Sequence, residues 1–535
     1  MAAPTPKRGG SLAPLKSRAF RYLWLALIAS SVGAWAQTVG AQWMFINDPA
    51  AATVVPLVQT ANALPALVLA FPAGVIADAF DRRWLLLGVQ IYSVVVSSTL
   101  AILTFLGQMT PPLLLGFTTL IGAGLAVQIP VWQPLIAELV PRSQLSAATR
   151  LDQLNVNVAR ALGPVIAGLI IANLGVAPVF VFTAVSSLAL IVALLAWRRP
   201  PSTAGASRER FLPALRSGGR YIRHEPTVRL ILLRLAAFVA PGMALWALLP
   251  LLASRRFGLH ADGYGVLFAA LGLGAMTAAL TLGRVLARLS IDVLLAGAAL
   301  LFAGSLALTV IVPSLLPALP LLFVAGYCWT ASASTLNAEL QLFLPTWVRA
   351  RALAANMMVF MGCSAIASPV WGLVTANFGL EVAIIAASAL VALTAPLGLI
   401  AKVPASGHLD RSTISYWGDV SLGFEPEPDA GPIVVSIDYE VAEENQAAFL
   451  AAMDDQRRSR LRTGSSRWEL YRVGEDATRF VELFWVSSWE EHLLQHDGRL
   501  TPADQEAEDA VAALAVRTPE ARHLLPPPEP ASDAE

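Results

Sequence analysis

Five charged side chains stand in or at the margins of long apolar stretches: Glu138, Asp152, Arg160, Arg234 and Glu339. A charge in a bilayer interior costs at least ~2.5 kcal/mol, so such residues mark proton relays, substrate paths or ion pairs. Asp152 and Arg160 are about two helical turns apart and share one helix side. Glu138, Arg234 and Glu339 lie near span ends, where pairing with Arg142, Arg349 or lipid headgroups is the account their positions favour. Farther along, His492 and His496 fall on one helical face. Two ligands with no third, and no zincin glutamate between them, predict a packed or hydrogen-bonded pair and no metal site.

The elements around these residues follow from composition. The 535 residues are 56% hydrophobic with no net formal charge, which excludes an ordinary soluble enzyme and gives no basic field for nucleic acid. Apolar spans long enough to cross a bilayer lie near 20–46, 52–77, 84–107, 112–138, 145–173 and 177–197. Six more follow near 228–253, 263–287, 290–312, 316–342, 349–377 and 381–402. The expected fold is thus an all-α polytopic membrane protein with twelve transmembrane helices. Its six-helix halves, 1–200 and 227–403, flank an arginine-rich loop at 201–226. Arginine and lysine concentrate in alternate turns, placing both termini in the cytoplasm; Arg255 and Arg256 depart from the pattern. Pro141 and Pro345 stand 204 residues apart, as do Gly168 and Gly372, and Ala172-Asn-Leu-Gly175 answers Ala376-Asn-Phe-Gly379 in the same register. Such an internal repeat is a transporter signature. Cys328 and Cys363 lie in apolar stretches without metal-type spacing and read as packing residues.

Composition changes after Lys402. Residues 404–430 read as a linker, 431–520 as a small cytoplasmic α+β domain of ferredoxin-like β-α-β-β-α order, and 521–535 as a disordered tail. The linker's proline and polar content predicts few contacts between this domain and the helices.

The short link between the second and third spans carries Gly74, Asp78, Asp81, Arg82 and Arg83. On composition it is a membrane hairpin turn in which Gly74 permits close helix approach. It also resembles the signature loop between helices 2 and 3 of the major facilitator superfamily, with Ala79 and Asp81 departing from the usual pattern. On the fifth span, Asn157, Arg160, Gly163, Pro164 and Gly168 describe a kinked, tightly packed helix. They also resemble that superfamily's export motif, as found in a bacterial branch that includes the enterobactin exporter and related secretion and drug-efflux proteins. Phe20-Arg-Tyr-Leu-Trp24, Gly33-Ala-Trp35 and Ser488-Trp-Glu-Glu-His492 fit the same branch.

The resemblance implies alternating access, export and proton antiport, in the bacterial inner (plasma) membrane. It implies a conformational switch in the Gly74–Arg83 loop and a cavity lined by spans one, four, seven and ten. Those spans carry Gln37, Gln42, Trp43, Gln128, Trp132, Gln133, Trp246, Trp329 and Asn337. Amides and indoles suit a small amphipathic organic molecule such as a siderophore, drug or secondary metabolite, and Trp43 also suits an interfacial belt. Partners are then the small-molecule substrate, protons and the lipid bilayer, with no cofactor and no nucleic acid. The terminal domain resembles antibiotic-biosynthesis-monooxygenase-type barrels, which implies dimerisation but brings no flavin fingerprint. The alternative is a membrane-tethered enzyme with the helices as anchor, for which one span suffices.

Overall fold

The computed structural model describes residues 12–197, 211–417, 422–424 and 426–527. Its first helices are α1 Arg18–Met44, α2 Ala51–Ala79, α3 Arg82–Phe105, α4 Pro111–Leu139, α5 Leu145–Leu174 and α6 Ala177–Ala196. A short helix, α7 Phe211–His224, precedes α8 Pro226–Leu251, α9 Ala261–Leu286, α10 Ile291–Leu308, α11 Leu315–Phe343, α12 Thr346–Phe378 and the pair α13 Leu380–Ala392 and α14 Leu397–Ile400. Among the described residues, twelve spans are long and apolar enough to cross a membrane. Their bounds agree with the apolar runs because hydrophobic length is the dominant signal for such helices. Leu280, Leu316 and Leu399 project from them with 73%, 77% and 85% exposure, as lipid-facing side chains must.

Helix ends follow from local chemistry. Ser17 accepts from the Phe20 amide at 3.4 Å, and Asp81 accepts from the Arg83 and Trp84 amides at 3.0 and 3.2 Å. At the end of α5, Gly175 has φ +85°, and at the end of α12, Gly379 has φ +91°. Both repeated Ala-Asn-x-Gly clusters therefore close a long helix with a left-handed residue, which explains why glycine recurs at this register.

The chain divides into two compact units. One holds most of the twelve spans. Its N-terminal half packs through a cluster that includes Phe20, Leu23, Leu135 and Leu194 near the terminus side, and another with Val58, Leu100 and Phe180 toward the far side. The second unit gathers α7, the start of α8 through Leu232, α11 from Asn337, α12 through Asn356, and the chain from Pro404 onward.

Within the second unit, β1 Ile433–Glu440, β2 Ser465–Arg472, β3 Arg479–Val486 and β4 Glu520–Leu524 form an antiparallel sheet in the order β2-β3-β1-β4. Helices α15 Gln446–Thr463, α16 Trp489–His496 and α17 Pro502–Ala512 complete the ferredoxin-like connection. Three corrections follow. Residues 520–524 form an edge strand, not a tail; the segment has too few apolar residues to announce itself and is held by pairing with β1. The 201–226 loop contains a helix. The 404–430 linker is largely folded down: Ile414 bridges Leu500, Trp417 donates to Glu508 at 2.7 Å, and the Trp489 amide donates to Ala430.

Candidate functional site

The link between α2 and α3 acts as a clamp. Asp81 caps α3, Arg82 reaches Glu138 at the end of α4 at 2.6 Å, and Arg83 donates to the carbonyls of Leu194 and Leu195 at the end of α6 at 2.8 and 3.0 Å. One dibasic pair thus closes the ends of two neighbouring helices, where free carbonyls and an acid await cations. Glu138 is thus paired with Arg82; the side chain of Arg142 lies outside the described part of the structure. A Cβ at Gly74 would meet nothing within 4 Å, so no close helix approach uses that glycine in this conformation. The side chain of Asp78 lies outside the described part of the structure.

On α5 the two motif glycines serve different neighbours. A Cβ on Gly163 would stand 2.5 Å from the Trp35 Cβ of α1, and one on Gly168 would stand 2.6 Å from the Ala261 carbonyl of α9. The repeat-related Gly372 on α12 faces the Ala52 carbonyl of α2 at 3.0 Å. The 204-residue register therefore places equivalent glycines against the far-side starts of α9 and α2, where the two six-helix halves meet. Gln42 adds to this closure, accepting from Tyr264 Oη at 2.8 Å and donating to the Trp246 carbonyl at 3.4 Å. Trp43, half-buried near the end of α1, stacks on Tyr264 of α9 with centroids 5.5 Å apart.

Asp152 and Arg160 do not pair. Asp152 is buried and accepts from Trp132 Nε1 at 2.9 Å and Gln133 Nε2 at 3.2 Å, both neutral donors on α4. Arg160 lies over the Trp35 ring at 5.7 Å, and its buried Nε has no hydrogen-bond partner. Eight residues place the two on one side of α5, but α1 and α4 each capture one of them. Pro164, on the same helix, stands among the buried residues; Asn157 bonds back to the Gln153 carbonyl at 3.0 Å.

The remaining cavity candidates are engaged with neighbouring helices. Gln128 accepts from Gln90 at 2.8 Å, Gln90 accepts from Ser30 at 3.3 Å, and Gln37 accepts from Ser97 at 3.3 Å. Trp246 and Trp329 pack edge to face at 5.6 Å, and Trp246 meets Phe268, which in turn meets Trp35. A continuous aromatic row thus runs from Trp35, under Arg160, to Trp329 and Phe360. Asn337 accepts from Asn356 at 3.3 Å in the other unit.

Arg234 and Glu339 find partners that sequence reasoning did not name. Arg234 pairs with Asp292 at 2.5 Å, and that carboxylate also accepts from the Val403 amide at 3.4 Å. An acid in the first turn of a following span was the available signal. Glu339 accepts from the Ser406 amide at 2.9 Å, while Arg349 donates instead to the Leu344 carbonyl at 3.0 Å.

In the second unit, α7 is bound by charge. Arg220 pairs with Glu491, which also takes Arg499 at 2.9 Å, and Glu225 takes Arg462 at 2.8 Å. Burial opposes ionisation of Glu491, but Arg220, Ser487 and Arg499 hold its carboxyl below the usual range. Asp504, also buried, is held low by Arg462 with help from Ser459 and Thr501. The sheet itself buries Arg460 against Glu482 at 3.2 Å and Glu508 at 3.1 Å.

His492 and His496 do form the expected hydrogen-bonded pair, with 3.2 Å between their Nε2 atoms. The structure adds His523, from β4, with one ligand-capable atom of each of the three rings within 4.8 Å of the others. Burial, with the neighbouring His496 and His523, lowers the His492 pKa to about 3. His523 escaped the sequence reading because it lies in the strand that was not anticipated.

Residues 9–527 match the family described as Transmembrane secretion effector. The Staphyloferrin A transporter of Staphylococcus aureus (strain NCTC 8325 / PS 47) is 24% identical over 247 residues, which is 46% of this chain and 62% of that protein. Among solved structures, the nucleoside transporter NupG aligns over 72% of this chain and 98% of its own at 12% identity, TM-score 0.59. A bacterial homologue of the human lysosomal transporter Spinster, inward-facing and occupied, gives 72%, 97%, 14% and 0.57. A D-xylose-proton symporter gives 72%, 98%, 14% and 0.56.

Proposed function

This chain belongs to the Transmembrane secretion effector family of major facilitator transporters, and from that premise we propose that it exports a small amphipathic organic acid by proton antiport. Family and structural neighbours are all transporters, so the tethered-enzyme alternative is set aside. The observation that carries the reading is Arg160: a half-buried arginine whose buried Nε has no hydrogen-bond partner, with no carboxylate paired to it among the described residues, at the head of an aromatic row. An aromatic or acyl body on the indoles and a carboxylate at Arg160 would complete that arrangement. Siderophores and acidic secondary metabolites have this chemistry, and the similarity to a staphyloferrin transporter agrees with it. Asp152, a buried acid that accepts from the neutral donors Trp132 and Gln133 and, among the described residues, from no cation, is the natural proton carrier, because protonation there leaves no cation stranded.

In this reading, substrate and proton compete for states of α5. The closed contacts of Gln42, Gly168 and Gly372 hold the far side shut, and the Arg82–Glu138 clamp belongs to the opposite side. Both termini face the cytoplasm of a bacterial inner membrane, and the terminal domain dimerises there. Proteoliposomes carrying an imposed pH gradient test the reading. Adding a hydrophobic carboxylate siderophore should collapse the gradient in wild type and leave it intact in Arg160→Met and Asp152→Asn. Accumulation of the same compounds with no proton flux, or only of neutral compounds, would overturn it.

A further inference from the structure

The three histidines of the terminal domain meet the requirements of a transition-metal site. His492 and His496 lie one turn apart on α16, and His523 comes from β4, in register with Val435 of the central β1 strand. The Nε2 atoms of His492 and His496 are 3.2 Å apart. Two imidazole nitrogens on a tetrahedral zinc ion, each at ~2.0–2.1 Å, stand roughly 3.3–3.4 Å apart. One edge of the tetrahedron is therefore already at ligating distance. The candidate nitrogen of His523 is within 4.8 Å of the other two, so a small ring rotation brings it in.

The surroundings orient the donors. His492 is 1% exposed, and its Nδ1 lies 3.3 Å from Gln495 Oε1, which directs Nε2 toward the other two rings. Trp417 stands over His496 at 4.5 Å, while Trp489 meets His492 at 5.4 Å and His523 at 6.0 Å, giving the cluster apolar walls. Among the described residues no carboxylate belongs to the group. Three neutral imidazoles suit zinc, copper, nickel or ferrous iron and disfavour magnesium and calcium.

We propose that His492, His496 and His523 bind one divalent first-row transition-metal ion, with a fourth position left to water or another ligand. On binding, the Nε2 proton of this hydrogen bond passes to the Nδ1 of the same ring, so that both Nε2 lone pairs face the metal and the imidazoles stay neutral. This inference is independent of the transport reading.

The test uses the full chain, purified through a tag without histidine, stripped with chelator and titrated with Co²⁺. Wild type should develop the visible ligand-field bands of a low-coordinate cobalt site, saturating at one ion per chain, and Zn²⁺ should displace them. His523→Ala should weaken binding by about tenfold or more, while His260→Ala leaves it unchanged. The wild-type titration does not depend on any variant folding. Absence of saturable cobalt bands in wild type, or bands of equal strength in His492→Ala and His523→Ala, would overturn the assignment.

Discussion

Replacing Arg82 with glutamine removes a guanidinium 2.6 Å from Glu138. The two side chains retain 27% and 23% exposure, placing the pair between a surface bridge and a buried one. Coulomb attraction at about 4 Å and an effective dielectric near 20 is roughly 4 kcal/mol. Solvent screening and side-chain ordering reduce the net contribution to about 1–2 kcal/mol. That corresponds to roughly a 5- to 30-fold change in the population of the clamped state. Arg82→Gln and Glu138→Gln should each lower unfolding free energy in mixed detergent micelles by about that amount, and the double variant should lose no more than the worse single. Transport should fall in both singles and recover in the swapped Arg82→Glu, Glu138→Arg protein. Additive losses in the double variant, or full transport in either single at matched abundance, would refute the clamp.

Gly74→Ala fills open space, so it should raise stability by about 0.5–1 kcal/mol; slowed export at that higher stability, in a transport assay, would place close helix approach in the other conformation, and lowered stability would contradict the geometry. Arg160→Met should cost little stability, because the guanidinium has an unsatisfied buried nitrogen, yet abolish export of acids; equal loss of abundance and transport on a per-cell basis counts against a substrate role. Arg460→Met strands Glu482, which is 0% exposed, and should destabilise the terminal domain by ~3–5 kcal/mol in fluorescence-monitored unfolding; a loss under about 1 kcal/mol would contradict the buried network. Glu491 and Asp504 have folded pKa values below their unfolded ones, so their stabilisation is present at neutral pH and disappears as pH falls below about 4; α7 should then become protease-accessible, and equal protection at neutral and acid pH would refute that linkage.

Hydrophobic length made the twelve spans legible, because each must cover an apolar slab and nothing subtler is required. The repeat at Gly175 and Gly379 was legible for a related reason: a left-handed helix end tolerates few residues other than glycine. Partner choice was not. Arg234 selected Asp292, Arg82 selected Glu138, and Asp152 turned to Trp132, all across helices whose relative rotation no single sequence encodes. β4 was hidden because an edge strand borrows its order from the neighbour it pairs with, and His523 was hidden with it.

The binding of α7 by Glu491, and of the following Glu225 by Arg462, also bears on where this polypeptide can be cut. A break introduced between Trp197 and Phe211 would leave two fragments, each with six spans, and every described ion pair of α7 would stay inside the second. Such halves, co-expressed, have the means to reassemble through the glycine contacts of α5 and α12. A break placed between Glu225 and Pro226 would instead separate α7 and Glu225 from the chain that continues to the domain holding them, although both pieces would contain the same spans. Permissive and non-permissive nick sites should therefore lie within about thirty residues of each other, divided by a helix too short to reach across the bilayer.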